Sequence, residues 1–294
     1  MTFARSDHIS DPDTLPRMPA WVTSVRAEAL EDVAFLSGAA LNHLHVVLGC
    51  AEVPHALLRD RLALRAAEAC LAFSGRPERA GELRDAIHLL RPGDLPGPAG
   101  AVLVGWCRAV ERPVSIKALE RALPSLDPGQ IAAWLDAGKG TPMARAAMVL
   151  ETVLIEAPRM ETTALILADG ALAQAIGWEH LVPLLAAGLK RHDLRKQGDD
   201  LRLACHRALV SSAVEAVRLA ADLARRAADL TAVAPKLRAK GASDAVEMFL
   251  TRDVVAPSAL PLPDRAARRL CDRLVELGAV REMTGRDTFR LYGV

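Results

Sequence analysis

Aromatic side chains are scarce in this 294-residue chain, at 3% of all residues. Strands favour aromatic and β-branched residues, whereas the apolar half of this sequence consists mostly of alanine, leucine and valine. Alanine and leucine stand near the top of the helix-propensity scale. The composition therefore predicts a mainly α protein, and it disfavours a surface that stacks the bases of single-stranded nucleic acid.

The chain also lacks an excess of charge and a long apolar run. Lysine and arginine number 37 against 36 aspartate and glutamate, so bulk charge does not attract nucleic acid. The uncharged run Phe35–Ala51 contains Asn42, His43 and His45 and falls short of a membrane span. The N-terminus has no apolar core of a secretory signal, and the five cysteines are scattered without a CxxC pair. We therefore expect a cytoplasmic protein with reduced thiols and no membrane segment.

Motifs of common enzymes and metal sites are missing as well. No GxxxxGK(S/T), GxGxxG, GxSxG or HExxH pattern occurs, so nucleotide-binding, hydrolase and zinc-protease functions have no motif support. His43 and His45 are two positions apart and lie on different faces of a helix, and Cys50 and His55 follow without ligand spacing. We predict no bound metal, no cofactor and no catalytic residue.

Helical patterns fill residues 20–233, which we predict to form an all-α domain behind a flexible tail, residues 1–19. The segment Arg91–Gly100 contains three prolines and three glycines and predicts a loop. Helices are predicted over Trp21–Ala51 (as two helices or one broken near Gly38), His55–Phe73, Glu78–Leu90, Ala101–Val110, Ser115–Leu123, Pro128–Ala137, Thr141–Ile155, Glu161–Ile176, His180–Lys190 and Asp199–Leu230.

Residues 234–294 predict a smaller C-terminal domain with one β-hairpin. An amphipathic helix covers Asp264–Leu277 and ends at Gly278. Two strands, Ala279–Met283 and Thr288–Tyr292, are predicted around a tight turn at residues 284–287. Apolar hairpin side chains are expected to pack on the helix and basic ones to stay exposed. The former are Val280, Phe289 and Leu291, and the latter are Arg281, Arg286 and Arg290.

The polar face of this amphipathic helix carries four arginines, Arg265, Arg268, Arg269 and Arg273. Guanidinium groups suit phosphate oxygens and guanine edges. From Lys236 onward, eleven Lys and Arg stand against eight Asp and Glu, so this part is mildly basic. We expect the first three arginines to enter the DNA major groove and Arg286 to touch a phosphate from the hairpin.

The stretch DRAARRLCDRLVELGAVREMTGRDTFRLYGV resembles a winged helix-turn-helix of the type found at the C-terminus of many bacterial Fic proteins and regulators. The resemblance implies a recognition helix at Asp264–Leu277 and a wing around Thr284–Asp287. The preceding PSALPLPD departs from the usual turn of such modules. The Fic catalytic motif, His-Pro-Phe followed by Gly-Asn-Gly-Arg, does not occur, so Fic activity is not implied.

Most of the chain also resembles a bacterial family of unknown function, domain of unknown function 1403. The similar stretches are RLALRAAEACLAFSGR, LRDAIHLLRPGDLPGPAG, LAQAIGWEHLVPLL and APKLRAKGA. This resemblance implies an established architecture but no activity and no site residues.

Three functional hypotheses follow. The first is a non-enzymatic protein that binds double-stranded DNA, as a regulator or replicon-maintenance factor, with a helical domain that forms a homodimer or binds a protein partner. The second is a scaffold whose winged helix docks on a partner protein. The third is an enzyme at a possible site of Asp85, His88 and Arg91, because a carboxylate three positions from a histidine can orient it as a general base. Capping and ion pairing explain that last pattern more simply.

Overall fold

The computed structural model describes residues 15–91, 93–237 and 241–294, so residues 1–14 of the predicted tail lie outside it. Within these ranges the chain forms thirteen α-helices and one antiparallel pair of strands, which confirms a mainly helical fold with a C-terminal hairpin. The helices are α1 Ala20–Ser24, α2 Leu30–Leu48, α3 His55–Phe73, α4 Ala80–His88, α5 Pro98–Glu111, α6 Ile116–Ala122, α7 Pro128–Asp136, α8 Pro142–Glu156, α9 Glu161–Ile176, α10 Leu185–Gly188, α11 Gly198–Val233, α12 Ala242–Thr251 and α13 Asp264–Glu276. The strands are β1 Arg281–Glu282 and β2 Tyr292–Gly293.

Several helices begin where a polar side chain satisfies the free backbone N–H groups of the first turn. Ser115 accepts a hydrogen bond from the amide of Ala118 at 3.2 Å, and Asp127 accepts one from Gln130 at 3.0 Å. Thr141 plays the same part for α8. Such caps explain why α6, α7 and α8 begin within one residue of the predicted starts.

The long helix α11 organises the core. It packs against α2, α3, α8 and α10, while α8 pairs with α9 and α3 pairs with α5. Helix α12 packs against α3 and α11, and buried residues on both sides of residue 234 belong to one apolar cluster. No helix of the described ranges is long and apolar enough to cross a membrane.

The helix predicted over His180–Lys190 is wrong in most of its length. His180 forms an isolated β-bridge with Pro113, and only Leu185–Gly188 is helical. Pro183 explains the difference, because its nitrogen has no hydrogen to donate to a helix. The buried carboxylate of Asp169 instead accepts hydrogen bonds from the amides of Leu184 and Leu185, at 3.2 and 3.1 Å, and so caps α10.

Two other helix boundaries differ between the prediction and the structure. Helix α2 runs through Gly38 without a break, and the interruption lies at residues 25–29, before α2. Helix α5 begins at Pro98, inside the predicted loop, because proline suits the first position of a helix, whose N–H needs no partner.

Gly188 allows α10 to approach α11 closely. A Cβ at this position would lie 2.3 Å from the carbonyl oxygen of Ala208 and 2.6 Å from Oγ of Ser212. We expect Gly188→Ala to lower the free energy of unfolding by about 3 kcal/mol, measured by urea denaturation, because the helices must separate to accept the methyl group. The matched control is Gly38→Ala, where a Cβ meets nothing within 4 Å. That change should stabilise α2 by about 1 kcal/mol, and equal losses at both positions would contradict the explanation.

Candidate nucleic-acid interface

Helix α13 has one buried face and one exposed face, as its sequence predicts. Its buried side chains are Ala267, Leu270, Cys271 and Leu274, and they belong to the core of the protein. The helix packs on the turn Pro257–Ala259 and on β1. Its four arginines are exposed, so a partner approaching this side of the molecule can reach them.

Three of these arginines form a continuous stripe. Arg265, Arg269 and Arg273 follow one another at intervals of four, which places them on one line along the helix. Within the described part of the chain, Arg265 and Arg269 have no carboxylate within 4.0 Å. Arg273 contacts Glu276 at 3.0 Å, and Arg268, beside the stripe, contacts Asp264 at 3.0 Å. The N-terminal part of α13 therefore presents two guanidinium groups without a counter-charge.

The hairpin is shorter than the sequence predicts. Only two residue pairs are matched, Arg281 with Gly293 and Glu282 with Tyr292, so a long loop joins the strands. The carboxylate of Glu282 organises the start of this loop, because it accepts hydrogen bonds from the amides of Thr284 and Gly285, both at 2.7 Å.

The apolar residues of the hairpin divide into two groups. Val280 and Leu291 are buried, as expected. The prediction that Phe289 packs on the helix is wrong: its side chain is 73% exposed, and its φ of 53° lies in the left-handed region. That backbone turns the ring outward, a consequence of loop geometry that strand alternation cannot predict.

Arg286 links the hairpin loop to α4. Its guanidinium group donates two hydrogen bonds to the carboxylate of Asp85, at 2.6 and 2.7 Å. Arg286, which is expected to touch a DNA phosphate, is thus paired with Asp85, a member of the possible catalytic site, although the two residues are 201 positions apart. Arg281 and Arg290 are exposed, whereas Arg286 is half-buried by this contact.

The structure does not assemble Asp85, His88 and Arg91 into a general-base arrangement. In the described residues, no hydrogen bond joins Asp85 to His88, and the amide of Arg91 donates to the carboxylate of Asp94 at 3.0 Å. Partial burial, together with the charges of Arg84 and Arg252, lowers the pKa of His88. A neutral imidazole with no orienting carboxylate results.

Asp253, just after α12, holds the C-terminal part of the chain against α3 and α4. Its carboxylate lies 2.6 Å from Nε of Arg61 and 2.7 Å from Nε of Arg84, and all three side chains are largely buried. Its backbone amide donates to Asp60 at 3.4 Å, and its carbonyl oxygen accepts from Nη2 of Arg61 at 3.2 Å. A Cβ at Gly293 would lie 2.7 Å from that carbonyl oxygen, so the last strand also needs glycine at this junction. No sequence pattern marks Asp253, because its partners lie 169 and 192 positions away.

The histidines considered as metal ligands have other partners. Nε2 of His43 lies 3.0 Å from the carbonyl oxygen of Pro16, and Nδ1 of His45 lies 2.9 Å from Nε1 of Trp178. The five cysteines all lie in described ranges and are unpaired. Across those ranges, no three His, Cys, Asp or Glu side chains are grouped so that they could hold a metal ion.

Comparison with known proteins places this architecture in a family. The model of the family described as "Protein of unknown function (DUF1403)" matches residues 6–294. No curated protein matches the chain. Because the family match extends over nearly the whole sequence, the protein belongs to the DUF1403 family.

Proposed function

We propose that the protein binds double-stranded DNA through residues 234–294, which act as a winged helix with α13 as the recognition helix and the hairpin as the wing. The observation that carries this proposal is the exposed stripe of Arg265, Arg269 and Arg273, two of which have no carboxylate partner among the described residues. We assign the protein to the bacterial cytoplasm, as a non-enzymatic regulator or replicon-maintenance factor.

The position of the arginines within α13 supports a mode of binding. Recognition helices present mainly their N-terminal part to the major groove, and Arg265 and Arg269 lie in the first half of α13. Arg268 lies beside them and can exchange its exposed partner Asp264 for a phosphate or a base edge. The phosphate contact that we assign to Arg286 requires it to leave Asp85, so its contribution to affinity is reduced by the cost of breaking that pair.

The small number of basic groups predicts a dimer. Affinity for DNA rises with the number of phosphates that a protein neutralises, and one copy of α13 offers only a few. We propose that a second copy of the chain or a protein partner, bound through the helical domain, doubles the number of contacts and supplies specificity.

Selection of genomic DNA fragments by the purified protein across a salt series tests this proposal. We expect sequence-selective retention that weakens steeply with salt. Arg265→Ala with Arg269→Ala should lower the affinity for the selected site by about 100-fold, because each arginine contact contributes roughly 1–3 kcal/mol. The matched control is Arg218→Ala with Arg225→Ala, which removes the same charge from exposed positions of α11. No retention at low salt by the folded protein, or equal losses in both double variants, would refute DNA binding by α13.

The second candidate function is a scaffold that docks on a partner protein through the same module. Phe289 favours it, because its ring is 73% exposed and aromatic side chains are enriched in protein interfaces. Phe289→Ala discriminates the two functions: DNA retention should survive it, whereas capture of a protein partner should not. Since Asp85 pairs with Arg286 and does not orient His88, we propose no catalytic role for that pair.

A further inference from the structure

A cavity of about 520 Å³ lies where α3, α4 and α5 meet residues 251–254. Its volume falls in the range of small-molecule sites, roughly 300–1,000 Å³. Such sites occur preferentially where two parts of a protein meet, and this one lies beside the contacts that Asp253 makes to α3 and α4. The cavity is separate from the arginine stripe of α13, whose residues do not line it.

The walls of the cavity are mainly apolar. Its lining includes Leu64, Ile87, Leu103, Val104 and Val254. Cys107 also lines it, and burial raises the pKa of this thiol to about 12, so it remains protonated and acts as a weakly polar surface. These walls suit a hydrocarbon or aromatic group of a ligand.

The charged groups of the lining are four arginines and three acids, namely Arg59, Arg84, Arg108 and Arg252 with Asp60, Glu111 and Asp253. Arg84 and Asp253 are bound to each other and have little left to offer a ligand. Arg59 and Arg252 also line the cavity, and neither has a carboxylate within 4.0 Å in the ranges that the structure describes. Arg59 is half-buried, and burial lowers its pKa although the carboxylates of Asp60 and Glu179 attract its charge from beyond ion-pair distance.

Two further acidic groups of the lining, Asp60 and Glu111, oppose an anion in this cavity, and Glu111 contacts Arg121 outside the lining at 3.5 Å. Asp60 receives one long hydrogen bond, from the amide of Asp253 at 3.4 Å. Burial raises the pKa of Asp60 to about 6, so it carries a negative charge at pH 7.5. The four arginines of the lining outnumber its three acids, so a ligand anion can lie beside Arg59 and Arg252.

We propose that this cavity binds an amphipathic organic anion, with one acidic group held by Arg59 and Arg252 and an apolar body against Leu64, Leu103 and Val104. A guanidinium group binds a carboxylate or sulfonate through two parallel hydrogen bonds, and the apolar walls exclude water from that contact. This site does not depend on DNA binding, so either proposal can fail without the other.

Calorimetric titration of the whole protein with decanoate at pH 7.5 tests the site, with decyltrimethylammonium as a probe of equal chain length and opposite charge. We expect decanoate to bind at least about tenfold more tightly than the cation. Arg59→Gln and Arg252→Gln should each weaken decanoate binding by about tenfold. Asp60→Asn should strengthen it by removing a like charge.

The matched control is Arg207→Gln, which makes the same change in a different apolar groove, lined by Val22, Val33 and Leu36. Its affinity for decanoate should equal that of the parent protein. Arg252 is exposed, so its variant keeps the test valid if Arg59→Gln does not fold. The proposal is overturned if decanoate does not bind or if decyltrimethylammonium binds as tightly as decanoate. It is also overturned if Arg252→Gln leaves the affinity for decanoate unchanged or if Asp60→Asn fails to raise that affinity. A loss of decanoate affinity in the control Arg207→Gln would overturn it as well.

Discussion

Replacing Asp253 with alanine is expected to lower the free energy of unfolding by about 3–5 kcal/mol, because it leaves two buried guanidinium groups without a counter-charge. Arg61 and Arg84 both contact this carboxylate, and their side chains are only 15% and 8% exposed. Denaturation by urea, followed by circular dichroism, measures the loss. The variant should also lose the two side-chain contacts that residue 253 makes with α3 and α4, whereas its backbone contacts and the Arg286–Asp85 pair remain.

The chain offers a matched control for this prediction in Asp222. Its carboxylate also contacts two arginines, Arg225 at 3.0 Å and Arg226 at 2.8 Å, but its side chain is 38% exposed, against 15% for Asp253. Asp222→Ala should cost less than about 1 kcal/mol, because water screens and replaces both ion pairs. Similar losses in the two variants would show that burial does not determine the strength of the Asp253 contacts.

The free energy of unfolding is expected to fall as the pH rises from about 5 to 8, because the buried carboxyl group of Asp169 has a raised pKa. This carboxyl group is buried, and burial raises its pKa to about 8, against the hydrogen bonds from Leu184 and Leu185. In the unfolded chain the same group loses its proton near pH 4. Between these two values the folded state binds more protons than the unfolded state, so each added unit of pH removes up to about 1.4 kcal/mol. Protonated Asp169 therefore makes its full contribution to the free energy of unfolding below about pH 4. This contribution is lost as the pH rises through the pKa of Asp169 in the folded protein.

The variant Asp169→Asn tests the direction of this pH dependence. Because one acceptor replaces two, the variant loses about 1 kcal/mol relative to the fully protonated parent, which is close to what the parent itself has lost by pH 5. The two should therefore be about equally stable at pH 5, and the variant should be the more stable at pH 8. Asp193→Asn is the control, since Lys196 and the amide of Lys190 hold the pKa of Asp193 below its usual value despite partial burial. Its stability difference from the parent should not change between pH 5 and 8. Asp60, whose pKa burial raises to about 6, adds a fall of the same sign at lower pH, so the deciding range is about pH 7 to 8. A fall over that range that persists in Asp169→Asn would contradict the assignment.

Local sequence signals predicted most of the helices because each signal and its effect lie within a few residues. The apolar repeat of α3 gave both of its ends, His55 and Phe73, correctly. The pattern of α11 predicted a single long helix over Asp199–Leu230, and the observed helix, Gly198–Val233, is only slightly longer at each end. In both helices the apolar stripe and the flanking residues indicate the same structure, and no competing signal occurs.

The incorrect predictions fall where a tertiary contact or a proline overrides the local pattern. The apolar spacing after His180 is helical, yet Pro183 and the carboxylate of Asp169 restrict the helix to Leu185–Gly188. Phe289 alternates correctly for a strand, but the second strand begins only at Tyr292, and the ring of Phe289 is exposed to solvent. Neither outcome can be inferred from spacing alone.

The candidate site was only partly predictable for the same reason. The exposed arginines of α13 follow from a helical wheel, since burial of the opposite face needs no knowledge of the partner. The contact of Arg286 with Asp85 and the role of Asp253 depend on how distant segments meet. A cavity wall has no sequence signature either, because Arg59, Val104 and Arg252 come from three different elements.

The Asp253 contacts also determine when this protein can complete its folding. A ribosome adds roughly 5–20 residues per second, so about 10–40 s separate the synthesis of Arg61 from that of Asp253, 192 residues later. During that interval the nascent α3 and α4 carry two guanidinium groups that cannot be buried without their counter-charge. We therefore expect these helices to stay loosely packed and accessible to chaperones until the last part of the chain arrives and the junction closes.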